Sequence, residues 1–225
     1  MKPIPEFSPR HIILTVLLLF PSLMVQAAPI TDTVTIGSQE WAQVNLFTNL
    51  SWNTINAACP SGVCSSGSTL TSNSITWDME GWTWASVEDV GSLFSTLIPP
   101  FTFSGVVGSA SEANSSWGPA FLNDYFNPTF SYSYVKAIHG WTSTTSSSGL
   151  YAYKPYVSDL TDPLGKDVAS TGYSTSISFM SFDSGAWFYR AAGTEETVPE
   201  PASVILLAIG LTVLGIQRRR RSSQT

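Results

Sequence analysis

The sequence predicts an α+β protein. One exported globular domain of short helices and an antiparallel sheet is followed by one C-terminal transmembrane helix, with an all-β sandwich as the alternative architecture. Three observations predict it. Two segments carry a helix cap and an apolar stripe at helical spacing; the later half of the domain alternates at period two; and apolar runs near both ends lie outside the domain pattern.

In order along the domain, residues 33–36 (TVTI) and 44–47 (VNLF) read as early strands. The stretch SWNTINAAC reads as a short helix: Ser51 is the cap, Trp52, Ile55 and Cys59 share a face, and Pro60 follows the end. Residues 81–85 (GWTWA) read as a short strand. The strongest helix is SVEDVGSLFSTLIPP, in which Ser86 caps, Asp89 takes the capping-box position and Glu88 adds a second acid to the first turn. Val87, Val90, Phe94 and Leu97 form its apolar stripe, and Pro99 stops it. GPAFLNDYF, from Gly118, reads as one or two further turns started by Pro119. Then residues 130–138 (FSYSYVKAI), 150–157 (LYAYKPYV), 173–180 (YSTSISFM) and 186–192 (AWFYRAA) read as strands, with STTSSSG and DLTDPLGKD as loops. Residues 194–197 (TEET) are an acidic linker, and no internal repeat is present.

The front end is read as a secretory signal peptide. Lys2 and Arg10 supply the positive region, residues 12–20 an apolar core, Pro21 a break, and Val25-Gln26-Ala27 the small residues of a cleavage site. Cleavage is expected between Ala27 and Ala28, since cutting after Ala28 would put Pro29 at the scissile bond. The organisation is then signal peptide 1–27, globular domain 28–193, linker and motif 194–201, membrane helix 202–217 and basic tail 218–225. About 170 residues remain after both ends are removed, enough for one domain with a sizeable core.

Charge is distributed unevenly. Between residues 28 and 200, fifteen acids face four bases (Lys136, Lys154, Lys166 and Arg190), so the exported part is near −11 although the whole chain is −6. Such a field repels phosphate backbones, and nucleic acid is not an expected partner. The two cysteines, Cys59 and Cys64, stand in CPSGVC; in an exported chain they are expected to form a local disulfide with Pro60 and Gly62 in its turn. Closing so small a loop contributes roughly 2 kcal/mol. No second cysteine pair or histidine cluster completes a metal site.

Catalytic chemistry is not expected, and neither is a cofactor. His139 is the sole histidine of the exported part, and no G-x-S-x-G elbow accompanies it. Glu88 and Asp89 already have a structural reason to sit at a helix N-terminus. Asp159, Asp162 and Asp167 share a loop where calcium is conceivable, but their spacing is not that of an EF-hand. Tyr151, Tyr153 and Tyr156, or the tryptophans, could stack on sugar rings, although aromatics at strand spacing mostly build cores.

The back end holds the most specific pattern: VPEPASVILLAIGLTVLGIQRRRR at 198–221. The apolar run 202–216 covers roughly 22 Å as a helix, against roughly 30 Å of hydrocarbon. Arg218, Arg219, Arg220 and Arg221 can snorkel and set the orientation, tail inside and domain outside. Pro199 and Pro201 keep Glu200 on an extended stub just outside the membrane. Val198, Pro199, Glu200 and Pro201, the short helix and the basic cluster together resemble the PEP-CTERM sorting signal. That resemblance implies a temporary anchor, with signal peptidase and an exosortase as processing enzymes in a Gram-negative bacterium. It implies export through the inner membrane and a final place at the cell surface or in exopolysaccharide. A second resemblance runs through GWTWASVEDVGSLF, GWTSTTSSSGLYAY and GAWFYR, over about residues 45–192. These segments are similar to the Lcl-type C-terminal domain, which implies a C-type-lectin-like fold. Trp84 and Ala85 stand where that family shows Leu and Pro, and its later cysteine is missing.

Overall fold

The computed structural model describes residues 27–113, 115–160 and 165–193. The signal-peptide core, Asp162, the acidic linker, Val198, Pro199, Glu200, Pro201, the 202–217 helix and Arg218, Arg219, Arg220 and Arg221 lie outside the described residues. Among the described residues no helix is long and apolar enough to cross a membrane.

Few short helices are set among several mainly antiparallel sheets. Strands β1 (Thr33–Ile36) and β2 (Gln39–Ala42) form a hairpin. Helix α1 (Trp52–Ala58) follows, then strands β3 (Thr69–Ser72), β4 (Ile75–Asp78) and β5 (Thr83–Trp84). Helix α2 (Val87–Leu97) leads to β6 (Ser109–Ala113) and to α3 (Trp117–Ala120), which runs on into a π-helical turn, Phe121–Tyr125. The remaining strands are β7 (Phe130–Tyr132), β8 (Val135–Trp141), β9 (Tyr151–Tyr153), β10 (Tyr156–Leu160), β11 (Lys166–Ser170), β12 (Ser174–Ser176), β13 (Gly185–Ala186) and β14 (Phe188–Ala191).

One sheet has the order β1-β2-β14-β5, so the closing strand sits between the opening hairpin and the tryptophan strand. The Arg190 guanidinium on β14 meets Glu40 on β2 at 2.6 Å and lies over the Trp82 ring at 4.5 Å. The larger sheet has the order β13-β8-β10-β11-β6, with β7 also on β8; β13 pairs β8 in parallel and the rest are antiparallel.

Both predicted helices form for the stated reasons. The Ser51 hydroxyl accepts from Thr54 N in α1, and Ile55 is fully buried. In α2 the capping box is complete: Asp89 N donates to Ser86 Oγ, and Ser86 N donates to Asp89 Oδ2 at 2.8 Å. Val87, Val90, Leu93 and Phe94 are buried and Leu97 half-buried, as the stripe requires. Phe94 then meets Phe103, Phe121 and Trp187 edge-on, at 5.4–5.7 Å. A second cluster packs Phe47, Ile55, Trp82, Trp84, Trp141 and Phe188 around the disulfide. Cys59 and Cys64 are bonded, with Cα atoms 4.2 Å apart. Gly62 within that loop has φ +83°, and a Cβ there would stand 2.9 Å from the Trp84 carbonyl oxygen, so glycine is required on both counts.

Several expectations are corrected. Residues Val44–Phe47 form a 3-10 helix, because Val44 and Phe47 bury at i, i+3 rather than on alternate faces. FSYSYVKAI is a hairpin with its turn at Ser133 (φ 44°), not one strand. LYAYKPYV breaks at Lys154-Pro155 into β9 and β10, and YSTSISFM is strand only over Ser174–Ser176. AWFYRAA divides at Trp187, whose backbone still bonds to the Trp141 carbonyl and to Ala85 N while its ring fills the core between Trp41, Phe94, Phe121 and Phe126. The supposed loop DLTDPLGKD is strand at both ends, in β10 and β11.

Candidate functional site

The N-terminal end of the described domain is held by backbone pairing. Ala28 N donates to the Thr76 carbonyl at 2.7 Å, and Ala28 O accepts from Asp78 N at 2.8 Å, bridging to Trp77 of β4. Ile30, two residues on, is buried. The expected scissile bond, Ala27–Ala28, therefore lies directly beside a residue that is paired into the domain. An α-amino group at Ala28 keeps a donor for the Thr76 carbonyl, so cleavage there costs the fold no hydrogen bond.

A second group of polar side chains, gathered from distant parts of the chain, was not predicted as a unit. Lys154 is 4% exposed, and its ammonium donates to Ser184 Oγ at 2.8 Å. Ser184 Oγ in turn donates to Asp183 Oδ1 at 2.8 Å. Ser181 Oγ also donates to Asp183 Oδ1. The ammonium lies over the rings of Tyr173, Phe179 and Trp141 at 5.3, 5.4 and 5.7 Å. Burial lowers the Lys154 pKa, and the Asp183 charge opposes that shift. The Asp183 carboxyl is held below its ordinary value; burial pushes upward, but the hydroxyls of Ser181 and Ser184 and the charges of Lys154 and His139 outweigh it. A serine touching a lysine is the arrangement of some hydrolytic dyads. Here the Ser184 hydroxyl is wholly buried and its bonds run to Lys154 and Asp183, so no substrate atom can approach it.

His139 stands at the edge of this cluster, on β8. Its ring stacks on Tyr156 at 5.2 Å and meets Tyr173 edge-on at 6.4 Å, and its Nδ1 is buried without a hydrogen-bond partner. Among the described residues no serine hydroxyl bonds to the His139 ring, so the arrangement shows no histidine–serine relay. Burial first, and the Lys154 charge second, lower its pKa from 6.5 to about 4. The folded protein thus refuses a proton that the unfolded chain accepts. Stability from this group is complete above pH 6.5 and is lost as the pH falls toward about 4, by at most about 3 kcal/mol. Urea denaturation across that window should show the loss, and His139→Gln should remove most of it. An unchanged slope in the variant would contradict the assignment.

The other candidates are placed as follows. Asp89 is engaged in the cap of α2, and Glu88 is exposed on that helix. Asp159 and Asp167 are both buried on adjacent strands; burial is the main cause raising the Asp167 pKa, and the neighbouring Asp159 adds to it, while the Ser115 hydroxyl opposes it. Among the described residues no group of three or more His, Cys, Asp or Glu could hold a metal ion. Trp41, Trp82, Trp84, Trp117, Trp141 and Trp187 are buried and Trp52 and Trp77 half-buried, so the tryptophans build the core. Tyr151 is exposed, while Tyr153 and Tyr156 are half-buried.

Residues 197–221 match the PEP-CTERM protein-sorting motif. That match covers Val198, Pro199, Glu200, Pro201 and the arginine cluster, and it implies an exported protein that an exosortase processes. No curated protein matches the chain, and no solved structure does.

Proposed function

We propose that the chain bearing this PEP-CTERM sorting motif is a non-enzymatic protein whose final place is the cell surface or an exopolysaccharide matrix. The motif at 197–221 carries the reading. The signal peptide commits the chain to the inner membrane of a Gram-negative cell, and signal peptidase cuts between Ala27 and Ala28. The 202–217 helix then halts transfer, with the domain outside. Four arginines hold it there, because drawing them through hydrocarbon costs several kcal/mol. Pro199 and Pro201 present Glu200 on extended backbone, where an exosortase in the membrane can grip it. The domain that is set free has a dense aromatic core and a disulfide, properties suited to persistence outside the cell. The absence of catalytic work is supported by the sealed Ser184 and by the stacked, neutral His139.

The C-type-lectin-like relationship belongs to the same proposal. Its support is the pairing of Phe188 with Trp84, which joins two of the three resembling segments in one sheet. Intact-mass analysis of the protein recovered outside the cell tests the functional reading. The expected product begins at Ala28, lacks the apolar run and Arg218–Arg221, and takes up no alkylating agent without reductant. A released protein that still carries the arginines would contradict it.

A further inference from the structure

The exported part is near −11 in charge, yet residues 171–182 (TGYSTSISFMSF) contain no charged side chain. Within that stretch Tyr173 and Phe179 are 45% and 43% exposed. Open as they are, these two rings are contacted from within. The buried Lys154 ammonium lies over both, and Lys154 N donates to the Tyr173 carbonyl at 2.7 Å. Tyr173 is braced again by edge contacts to Tyr156 at 5.9 Å and to His139 at 6.4 Å. Exposed hydroxyls of Ser174 and Ser178 stand next to the two rings in the chain.

We propose that Tyr173 and Phe179, held over Lys154, form a stacking site for a neutral saccharide. The inference rests on the matrix-protein reading given above. A pyranose presents a face of C–H bonds that suits the negative face of an aromatic ring, while its rim of hydroxyls needs hydrogen-bonding partners. The serine hydroxyls and the Tyr173 phenol supply them. Rings with such contacts behind them have less freedom to lose on binding, so more of the contact energy appears as affinity. Charge selects the class of sugar. An acidic polymer meets a strongly negative domain, and the one cation at the site is buried and engaged by Ser184. An anionic lipid surface is opposed by the same field. Flat apolar contact with a membrane or a second copy would also strip water from the interleaved serines without replacing their hydrogen bonds.

The test uses the processed protein recovered outside the cell, run by affinity electrophoresis through the neutral and the acidic fractions of polysaccharide extracted from the producing cells. The neutral fraction should retard it, with little dependence on salt, and the acidic fraction should not. Tyr173→Ala and Phe179→Ser should each weaken retardation about tenfold. Tyr132→Ala, on an exposed ring of the β7–β8 hairpin, should leave it unchanged. If Tyr173→Ala fails to fold, judged by circular dichroism, Phe179→Ser carries the test alone. Absence of retardation by the neutral fraction, or equal retardation of both variants and the parent, would overturn the proposal. So would a dimer, or sedimentation with anionic vesicles, that the same substitutions abolish. Loss of saccharide binding leaves the sorting reading standing, whereas normal release of a Glu200→Ala protein would remove the sorting reading and leave this measurement untouched.

Discussion

Replacing Phe94 by alanine should destabilise the domain by about 3–5 kcal/mol. Phe94 is fully buried on the inner face of α2, and it is the ring on which Phe103, Phe121 and Trp187 converge edge-on. The loss has two parts. The removed ring no longer leaves water on folding, and the three aromatic neighbours, tied to separate elements, cannot all collapse into the void. Edge-to-face contacts add about 0.5–1.5 kcal/mol for each pair beyond the area buried. Domains of this size are stable by only about 5–15 kcal/mol, so the variant should be poorly recovered outside the cell. Equilibrium urea denaturation at pH 7 measures the effect. A cost below about 1 kcal/mol would mean that this face of α2 is not packed. Leu97→Ala, at a half-buried position on the same stripe, should cost clearly less.

What the sequence disclosed follows from how far apart the interacting residues are. The caps of α1 and α2 were legible because Ser51 with Thr54, and Ser86 with Asp89, act within three residues. The disulfide was legible because five positions and an exported setting leave few alternatives. The β3–β4 hairpin escaped reading although its turn is local. Asn73 and Ser74 both take positive φ, 52° and 66°, as a type I′ turn demands, but serine stands where glycine usually signals it. Trp187 was read as a strand residue, and nothing nearby tells it to turn inward. Its reasons are Phe94, Phe121 and Phe126, all more than sixty positions away. The Lys154 cluster was illegible for the same cause. It gathers residues from Trp141 to Ser184, and a lone lysine beside a proline gives no sign of burial. His139 could be named as the sole histidine of the exported part, but its stacking partner Tyr156 comes from the register of β8 with β10.

The sorting motif reads differently from the domain, because it is linear. Glu200, its two flanking prolines, the short apolar run and the arginines stand in chain order, so their pattern is legible from the sequence alone. On the proposed sorting role, the two halves of the tail do separable work. Deleting Arg218–Arg221 should weaken halting and let uncut protein escape, since the charges that oppose passage through hydrocarbon are gone. Changing Glu200 should leave halting intact and block only the cut. The most direct measurement is therefore fractionation of cells expressing Glu200→Ala, with membrane and extracellular protein compared by size and amount. The account predicts normal export, uncut protein accumulating in the membrane, and release reduced to background. A Glu200→Ala protein released at the parent's size and rate would contradict it, and the tail would then be an ordinary membrane anchor.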